Sequence, residues 1–226
     1  MTSGFENQVL TAWESNAASW IDAVSSGEIR APGSVTREAL LAVLEPYLAS
    51  QLKFLDVGSG EGWLVEMLAN RGHDAIGVDS SAALIEHAKK FRKGRFYNAN
   101  QGSLAALQLG DFELVVCNFS LFGDKPVSDF IASLPFLLKP GGVCVIQTLH
   151  PAHFLKESYY STGWRRGTWA GLPGAFGASP PLFMRTLESW WALFRACGIQ
   201  IIDLKEPSDT SGIPQSIILT VSPSRN

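Results

Sequence analysis

The segment LDVGSGEGW at residues 55–63 places an acidic side chain and three spaced glycines between a strand-like run and a helix-like run. Gly58, Gly60 and Gly62 let the backbone turn sharply and approach a ligand closely, and the start of the helix offers free N–H groups. Dinucleotide-binding loops have the spacing GxGxxG, whereas the spacing here is GxGxG. Asp56, beside the loop, would repel phosphates and favour an ammonium group. The segment therefore predicts a ligand site that is not built for a pyrophosphate.

Asp79 ends the next strand-like run, DAIGVD. In nucleotide-binding α/β folds, an acidic residue about 20 positions after the glycine loop accepts hydrogen bonds from ribose hydroxyls. The alternative is that Asp79 only begins the following helix, which Ser80 or Ser81 can cap. Asp56 likewise has a purely structural alternative. Together with the glycine loop, Asp79 predicts a nucleoside ligand.

His150 directly follows a buried strand-like run, VCVIQTL, and is the best candidate for a general base. Ligands of open α/β sheets bind at the carboxyl ends of the strands, and imidazole titrates near neutral pH. His153 is the second candidate. The alternative for both residues is a structural or orienting role.

Strand-like runs alternate with helix-like stretches after Lys53, a pattern that predicts a parallel, doubly wound sheet. The five runs lie at residues 53–58, 74–79, 95–99, 112–119 and 143–149. Before them, an apolar stripe at helical spacing contains Trp13 and Trp20, and a second helix begins near Thr36. The two tryptophans would either close over the ligand site or pack as an ordinary helix face.

The C-terminal part predicts a helix that buries Trp190 and Trp191, followed by strands at 199–204 and 215–222. The segment between these strands is too short for a crossover helix, so the pair should be antiparallel. The predicted fold class is α/β, a Rossmann-like doubly wound sheet of seven strands. It is mostly parallel with one antiparallel C-terminal strand, and helices cover both faces.

Residues 150–184 interrupt the pattern, because they are rich in glycine, proline and aromatic residues and lack a helical or strand period. Long irregular segments in compact domains usually serve function. The aromatic side chains predict a lid over an apolar or aromatic ligand, and a dimer contact is the alternative. Tyr159, Tyr160, Trp164 and Arg165 are candidates for contacting an acidic, phenolic or aromatic substrate. Alternatively, they are surface-loop residues.

The motifs FLDVGSGEGW, GVDSS, FELVVCNFS and LKPGGVCVIQ resemble the successive motifs of class I S-adenosylmethionine-dependent methyltransferases. Within that family the resemblance is to the small-molecule enzymes of the ubiquinone and biotin pathways, and it covers roughly residues 50–150. It implies that Asp56 and the loop Gly58–Gly62, with Ser59, hold the methionine part of the cofactor. It also implies that Asp79 binds the ribose and that Ser80 lies beside the adenine.

Two departures from the family's motifs concern the cofactor site. Where the family often has an aspartate that reaches the adenine amino group, this chain has Asn100 and Gln101, whose side-chain carbonyls can accept the same hydrogen bond without a charge. Asn118 and Phe119 stand where relatives often contact the cofactor. Leucine and phenylalanine at positions 121 and 122 replace a histidine that many relatives carry, which excludes a histidine base there.

The resemblance implies transfer of a methyl group from S-adenosylmethionine to an oxygen, nitrogen or carbon nucleophile of a small molecule, with S-adenosylhomocysteine as the product. The alternatives are a non-catalytic, cofactor-binding regulatory module with the same fold, and an NAD(P)-dependent oxidoreductase. We predict a single methyltransferase domain over residues 1–226. It comprises an N-terminal helical cap (1–50), a cofactor-binding core (51–149), a substrate lid (150–184) and a C-terminal helix with a strand pair (185–226).

Composition limits the possible partners. The 226 residues are 46% hydrophobic with a net charge of −3, which argues for a globular protein and against a nucleic-acid partner. No apolar run approaches the roughly 20 residues of a membrane span, and the first ten residues do not resemble an export signal. Three cysteines without metal-binding spacing predict buried, reduced thiols and no metal site. We therefore expect a cytoplasmic monomer or homodimer.

Overall fold

Buried strands in the middle of the chain form the sheet on which the other elements pack. The computed structural model describes residues 4–27, 34–155 and 160–224. Its strands are β1 (Lys53–Val57), β2 (Asp74–Asp79), β3 (Arg95–Asn98), β4 (Phe112–Asn118), β5 (Leu138–Thr148), β6 (Gly163–Arg165), β7 (Leu182–Met184), β8 (Ile199–Lys205) and β9 (Ile217–Pro223). Its helices are α1 (Gly4–Ser15), α2 (Ala17–Ser25), α3 (Val35–Leu44), α4 (Trp63–Asn70), α5 (Ala82–Phe91), α6 (Lys125–Leu137) and α7 (Leu187–Ala196). Short 3₁₀ helices cover Glu45–Tyr47, Gln101–Leu107 and Pro151–Phe154.

The main sheet has seven strands in the order β3-β2-β1-β4-β5-β9-β8. Strands β1 to β5 pair in parallel, and β9 runs antiparallel to both β5 and β8. The predicted α/β fold class is therefore confirmed, including the antiparallel C-terminal strand. Strand order reverses between β1 and β4, and in open α/β sheets the crevice outside the carboxyl ends of such strands binds ligands.

Two apolar clusters, one on each face of the sheet, explain why the central strands are almost wholly hydrophobic. Along β4, Val115 and Cys117 join one cluster, whereas Leu114 and Val116 join the other, because successive side chains of a strand point to opposite faces. Both faces are covered by helices, so neither face of these strands needs polar residues. The sheet is thus a rigid base for the loops at its carboxyl edge.

The N-terminal helices differ in detail from the prediction. The single apolar stripe belongs to two helices, α1 and α2, which are separated at Asn16. Helix α3 begins after Ser34 rather than near Thr36. At the start of α5, Ser81 rather than Ser80 is the cap, since its side chain accepts a hydrogen bond from the Leu84 N–H at 3.3 Å.

The insertion after β5 is more regular than its sequence indicates. Strands β6 and β7 pair antiparallel as a separate two-stranded sheet, with Trp164 opposite Phe183. In α7, Trp190 is buried as predicted, but Trp191 is 52% exposed, so the prediction that both tryptophans are buried was wrong for Trp191. Adjacent helical residues point about 100° apart, and only one of the two can face the sheet.

Other features concern the described residues alone. No helix within 4–27, 34–155 or 160–224 has the length and apolar character needed to cross a bilayer. Cys117 and Cys144 are buried free thiols, and Cys197 is a half-buried one. In the same part of the chain, no three His, Cys, Asp or Glu side chains come together as a metal site would require.

Candidate active site

The glycine loop, residues 58–62, leaves β1 at the carboxyl edge of the sheet, next to the reversal of strand order. Gly58, Gly60 and Gly62 have φ values of +78°, +57° and +89°, which L side chains rarely adopt. The backbone N–H groups of Gly58 and Ser59 donate to the Val78 carbonyl at 2.8 and 2.9 Å. The loop is therefore fixed across the end of β2.

The loop after β4 lies directly against the glycine loop. A Cβ added at Gly58 would lie 2.2 Å from the Cβ of Ser120, far inside van der Waals contact. The Ser120 hydroxyl donates to the Val57 carbonyl, and the Gln101 side-chain amide donates to the Ser120 carbonyl at 2.7 Å. The ends of β1 and β4 thus form one packed floor, and glycine at 58 is required for it.

Asp79 closes the glycine loop from the end of β2. Its Oδ2 accepts the Gly60 N–H at 2.9 Å, and its Oδ1 accepts the Ser81 N–H at 2.8 Å. Burial raises the pKa of Asp79, and the nearby charges of Glu14 and Glu61 raise it further, while the two N–H groups act in the opposite direction. Each carboxylate oxygen still has a second lone pair for a ligand hydroxyl.

Several polar atoms at this edge are buried without a hydrogen-bond partner in the described part of the chain. They include the Ser59 hydroxyl and the Asn118 side-chain oxygen. Phe119, the next residue, has φ = +50°, a strained value for a side chain other than glycine. A buried polar group without a hydrogen-bond partner lowers the stability of the fold, and a bound ligand can supply the missing partner. The unsatisfied atoms beside a strained residue therefore indicate a ligand site at this edge.

The residues predicted to approach the adenine lie at the rim of the site. Asn100 is exposed, and its backbone carbonyl accepts the Ser103 N–H at the start of a 3₁₀ helix. Gln101 is half-buried and uses its side-chain amide for the β4 loop, as described above. Sequence reasoning missed Asn98, whose side-chain amide donates to the backbone carbonyls of Asp79 and Ser80 at 3.0 Å. Ser80 itself is exposed beside this contact.

His150 is buried, and both of its ring nitrogens have partners. Nδ1 accepts the Ala152 N–H at 3.1 Å, so Nε2 carries the proton and lies 2.7 Å from Oε1 of Glu206. Glu206 follows β8, at the far side of the sheet from the glycine loop. A residue held in this way is not free to take a proton from a substrate, so the geometry supports the orienting alternative and not the general base.

Replacing His150 by glutamine is expected to retain most of the turnover, because the amide can keep a hydrogen bond to Glu206. Loss of the Ala152 contact should cost about 1 kcal/mol of unfolding free energy. Steady-state rates and thermal unfolding of H150Q check this, with H153Q, at an exposed position, as the control. A general base would instead lose about 10²–10⁴-fold in rate, and such a loss at an unchanged melting temperature would contradict the orienting role.

The ring contact of His153, the second candidate for a general base, and the hydrogen bond of Tyr160, a predicted substrate residue, are with segments other than the glycine loop. His153 is exposed and packs edge-on against Phe154. The Tyr160 hydroxyl accepts the Leu187 N–H at 3.2 Å and so caps the start of α7. Tyr159 lies outside the described residues.

Trp164 and Arg165 belong to the β6–β7 hairpin and stabilise it. Trp164 stacks on Phe5 of α1, with ring centroids 5.0 Å apart. The Arg165 guanidinium donates to the backbone carbonyls of Trp164 and Ser161 in its own hairpin. The role of Arg165 towards an acidic or phenolic substrate stays a prediction.

Five aromatic side chains from three segments meet next to the glycine loop, and we call them the aromatic cluster: Trp13, Trp20, Phe122, Trp169 and Phe176. The centroid of Trp13 is 5.3 Å from Trp20, 5.4 Å from Phe122 and 5.3 Å from Trp169, and Trp169 stacks on Phe176 at 4.7 Å. A Cβ at Gly60 would be 3.7 Å from Nε1 of Trp20. The cluster therefore covers the glycine loop.

Glu61 connects this cover to the loop, and sequence reasoning missed it. It is the one acidic residue between the glycines and is only 1% exposed. Its Oε2 accepts the Trp20 indole N–H at 3.3 Å, and its backbone carbonyl accepts from Arg92 at 3.3 Å. An acid inside a glycine loop was the available signal, and its contact with Trp20 agrees with the alternative in which the tryptophans close over the loop.

Asn16, between α1 and α2, holds the insertion against the N-terminal helices. Its Nδ2 donates to the Ala12 and Ala178 carbonyls at 2.7 and 3.1 Å, and its Oδ1 accepts the Gly177 N–H at 2.6 Å. The Ser19 hydroxyl adds a bond to the Ala175 carbonyl at 2.6 Å. The insertion thus packs on helices of its own chain, which favours a lid over a dimer contact.

Replacing Asn16 by alanine is expected to release the insertion and to lower the unfolding free energy by about 2 kcal/mol, because it removes three hydrogen bonds made by a buried amide, each worth about 0.5–1.5 kcal/mol. Limited proteolysis within residues 166–181 should become faster, and thermal unfolding should occur at a lower temperature. Ser15→Ala is the control, since Ser15 is exposed and its hydroxyl bonds to the Thr11 carbonyl of its own helix. Equal digestion rates in the two variants would contradict the anchoring role.

A second anchor consists of buried charges that the sequence did not reveal. Glu6 accepts the Asp124 and Lys125 N–H groups at 3.2 Å and so satisfies the start of α6. Arg185 donates to the carbonyls of Gly123 and Asp124 at 3.0 and 2.8 Å. Burial lowers the pKa of Arg185, and the charges of Asp124 and Glu6 act against that shift. These contacts join α1, the β4–α6 loop and the end of the insertion.

Comparison with known proteins identifies the family. A family model described as a methyltransferase domain matches residues 31–204. A ubiquinone biosynthesis O-methyltransferase from Psychrobacter cryohalolentis is 32% identical over 139 residues, which are 58% of this chain and 51% of that protein. One of the same name from Xanthomonas axonopodis is 30% identical over 167 residues, or 68% and 66% of the two chains. The chain spans about half the length of several of the curated relatives it matches.

Solved structures agree on the fold. A putative S-adenosylmethionine-dependent methyltransferase from Listeria monocytogenes superimposes with a TM-score of 0.66 at 17% identity, over 82% of this chain and 98% of that one. The 1,6-didemethyltoxoflavin-N1-methyltransferase of Burkholderia thailandensis gives a TM-score of 0.66 at 16% identity, over 100% and 92%. The family resemblance predicted from the motifs is therefore confirmed. This chain belongs to the methyltransferase-domain family and has the fold of the class I S-adenosylmethionine-dependent enzymes.

Proposed function

We propose that this protein transfers the methyl group of S-adenosylmethionine to an oxygen, nitrogen or carbon nucleophile of a small molecule. The observation that carries the proposal is the glycine loop at the reversal of strand order, closed by Asp79 and covered by the aromatic cluster. Family membership and the names of the relatives support the same activity.

The residues at this edge fit such a cofactor. Asp56, which is buried at the end of β1, would supply a carboxylate for the ammonium group of the methionine part, and the loop Gly58–Gly62 would supply a backbone that this part can approach closely. Asp79 has lone pairs left for ribose hydroxyls, and Ser80, Asn100 and Gln101 lie at the rim where the adenine would extend. The remaining side is lined by the Ser59 hydroxyl and by the turn at Asn118 and Phe119. The oxygens of Ser59 and Asn118 lack partners among the described residues and can accept hydrogen bonds from a ligand.

The protein's part in the reaction is mainly positional. Bound S-adenosylmethionine supplies a methyl group on a sulfonium, which is already activated for displacement. The aromatic cluster and the insertion exclude water above the glycine loop, and alignment of nucleophile and methyl about 3–3.5 Å apart can supply several kcal/mol. Both ring nitrogens of His150 are engaged in hydrogen bonds, so we assign no proton transfer to this residue.

The domain plan and setting belong to the same proposal. Residues 1–50 form a helical cap, 51–149 the cofactor-binding core, 150–184 the substrate lid and 185–226 the closing helix and strand pair. Contacts of Asn16 and Glu6 with distant segments support one cooperative unit over the described residues. A small-molecule substrate accords with the net charge of −3 and with the names of the curated relatives, and the proposal includes a cytoplasmic location.

The test is formation of S-adenosylhomocysteine in the presence of panels of phenols, nitrogen heteroaromatics and aliphatic amines. The proposal predicts acceptor-dependent product with at least one panel, and none with the Asp79→Ala variant. A regulatory module would bind S-adenosylmethionine without forming product. An oxidoreductase would oxidise NADH instead, and either result would contradict the proposed activity.

A further inference from the structure

We propose that the aromatic cluster is the acceptor site and that it takes a flat, uncharged aromatic molecule with hydrogen-bond acceptors at its edge. The inference rests on the proposed methyl transfer and narrows its substrate class. It is argued from the cluster's shape, from its hydrogen-bond donors and from the charges around it.

The shape of the cluster suits a planar ligand. Its rings come from α1 and α2, from the loop after β4 and from the insertion, and Trp20, Phe122 and Trp169 each contact Trp13. Trp169 and Phe176 are nearly parallel at 24°, whereas Trp13 meets Trp20 and Trp169 edge-on. A cluster that presents both parallel and perpendicular rings can add stacking and edge contacts with a further aromatic ring at its margin.

Two of the three indoles carry donors that nothing in the described chain satisfies. Nε1 of Trp13 and Nε1 of Trp169 are buried without a partner among residues 4–27, 34–155 and 160–224. Trp20 differs, because its N–H is bonded to Glu61. An indole N–H can only donate, so a ligand that recovers these two bonds must present acceptor atoms such as carbonyl oxygens or ring nitrogens. A cation cannot accept a hydrogen bond, so it would leave both of these indole N–H groups without a partner.

The surrounding charges argue against an anion. Glu14 and Glu61 act electrostatically on Asp79 at the glycine loop. Arg92 lies 4.0 Å from Glu61 and 2.9 Å from Glu66, and these acids engage its charge. Arg165 donates within its own hairpin and Arg185 to the start of α6. A carboxylate or phosphate in the cluster would therefore face acidic groups beside arginines that are already engaged. An uncharged acceptor satisfies all three observations.

The chemical step balances without a further reagent. A lone pair of the acceptor atom forms the new bond to the methyl carbon as the carbon–sulfur bond breaks, and the sulfur keeps that electron pair as a neutral thioether. The methylated acceptor keeps its proton as a cation until it leaves the site, and then releases the proton to bulk water. Such a step requires a nucleophile whose proton leaves easily, for example a phenol or a ring N–H conjugated to a carbonyl.

Binding of defined probes to the protein saturated with S-adenosylhomocysteine tests the inference. The probes are coumarin, 4-quinolone and flavone as uncharged rings with a carbonyl, naphthalene as a ring without an acceptor, and coumarin-3-carboxylate as an anion. Calorimetry gives the affinities, and the indole N–H resonances of ¹⁵N-labelled protein report contact, assigned by single Trp→Phe variants. Trp13→Phe and Trp169→Phe keep a ring and remove the donor, and Trp191→Phe, exposed on α7, is the control.

We expect at least one carbonyl probe to bind about 100-fold more tightly than naphthalene, since each of the two hydrogen bonds is worth about tenfold, and about tenfold more tightly than the carboxylate. Trp13→Phe and Trp169→Phe should each lose about tenfold, Trp191→Phe nothing, and both indole resonances should shift. Preferential binding of the carboxylate, absence of binding by all three carbonyl probes, or insensitivity to both variants would overturn the inference. Failure of S-adenosylhomocysteine itself to bind would instead contradict the proposed function.

Discussion

Replacing Asp79 by asparagine is expected to weaken S-adenosylmethionine binding about 100-fold while the fold is retained. Hydrogen bonds to a charged acceptor contribute about 1.5–3 kcal/mol, and the carboxylate is the group proposed to hold the ribose hydroxyls. The amide oxygen of asparagine can still accept one of the two N–H groups that Asp79 now binds, so the loop should stay closed. Calorimetry of the two proteins measures the change.

Asp74→Asn is the control for this variant. Asp74 is the first residue of β2 and Asp79 is its last, so Asp74 lies at the end of the strand away from the glycine loop. It is exposed and forms an ion pair with Arg95. Its loss should leave cofactor affinity unchanged, because exposed ion pairs contribute little. Equal affinities of the Asp79→Asn variant and the unaltered protein would remove the ribose assignment.

Cofactor affinity should also depend on pH through Asp79. Burial raises the pKa of this carboxyl, so Asp79 becomes protonated at a higher pH than an ordinary aspartate does. Cofactor affinity should therefore already fall at that higher pH. The effect on folding has the opposite sign. The protonated carboxyl adds to the free energy of unfolding when the pH is below the pKa of Asp79 in the unfolded chain, and this contribution is lost as the pH rises through the raised pKa of the folded protein. Asp79→Asn should show neither dependence in titrations and unfolding measured across mildly acidic pH.

Replacing Gly58 by alanine is expected to abolish cofactor binding and to cost about 2–5 kcal/mol of unfolding free energy. A left-handed conformation costs a residue with a Cβ about 1–2 kcal/mol, and overpacking adds about 1–3 kcal/mol. The new Cβ would overlap Ser120, so either the glycine loop or the β4 loop must move. Denaturant unfolding and calorimetry measure the two effects.

Gly72→Ala separates conformational strain from overlap. Gly72 has φ = +89°, close to that of Gly58, but a Cβ there would meet nothing within 4 Å. This variant should lose about 1–2 kcal/mol and keep its cofactor affinity. Equal losses of unfolding free energy and of cofactor affinity in Gly72→Ala and Gly58→Ala would show that overlap with Ser120 has no effect. The description of the β1 and β4 ends as one packed floor would then be wrong.

The central sheet and the glycine loop could be predicted because their physical causes are local. Strands β1, β4 and β5 are buried on both faces and therefore appear as continuous apolar runs in the sequence. Positive φ at 58, 60 and 62 requires glycine, which makes the loop visible as a spacing. The cap at Ser81 and the antiparallel β9 follow from similarly short-range rules.

An aromatic cover of the site could be predicted, but the contacts that anchor it could not, because they join distant positions. Asn16 interrupts an apolar helical stripe and looks like an exposed polar residue, yet its partners Gly177 and Ala178 are 161 and 162 positions away. Glu6 and Arg185 look like surface charges in sequence but are both 4% exposed. His150 was placed correctly at the carboxyl edge, but its orientation depends on Glu206, beyond a helix and a strand.

The most direct test of the account is calorimetric titration of the purified protein with S-adenosylmethionine, S-adenosylhomocysteine and NADH. We predict micromolar binding of the first two, no binding of NADH, and loss of both interactions in the Gly58→Ala variant but not in Gly72→Ala. Binding of NADH, or no binding of either sulfur nucleoside, would contradict the assignment of this edge of the sheet as an S-adenosylmethionine site.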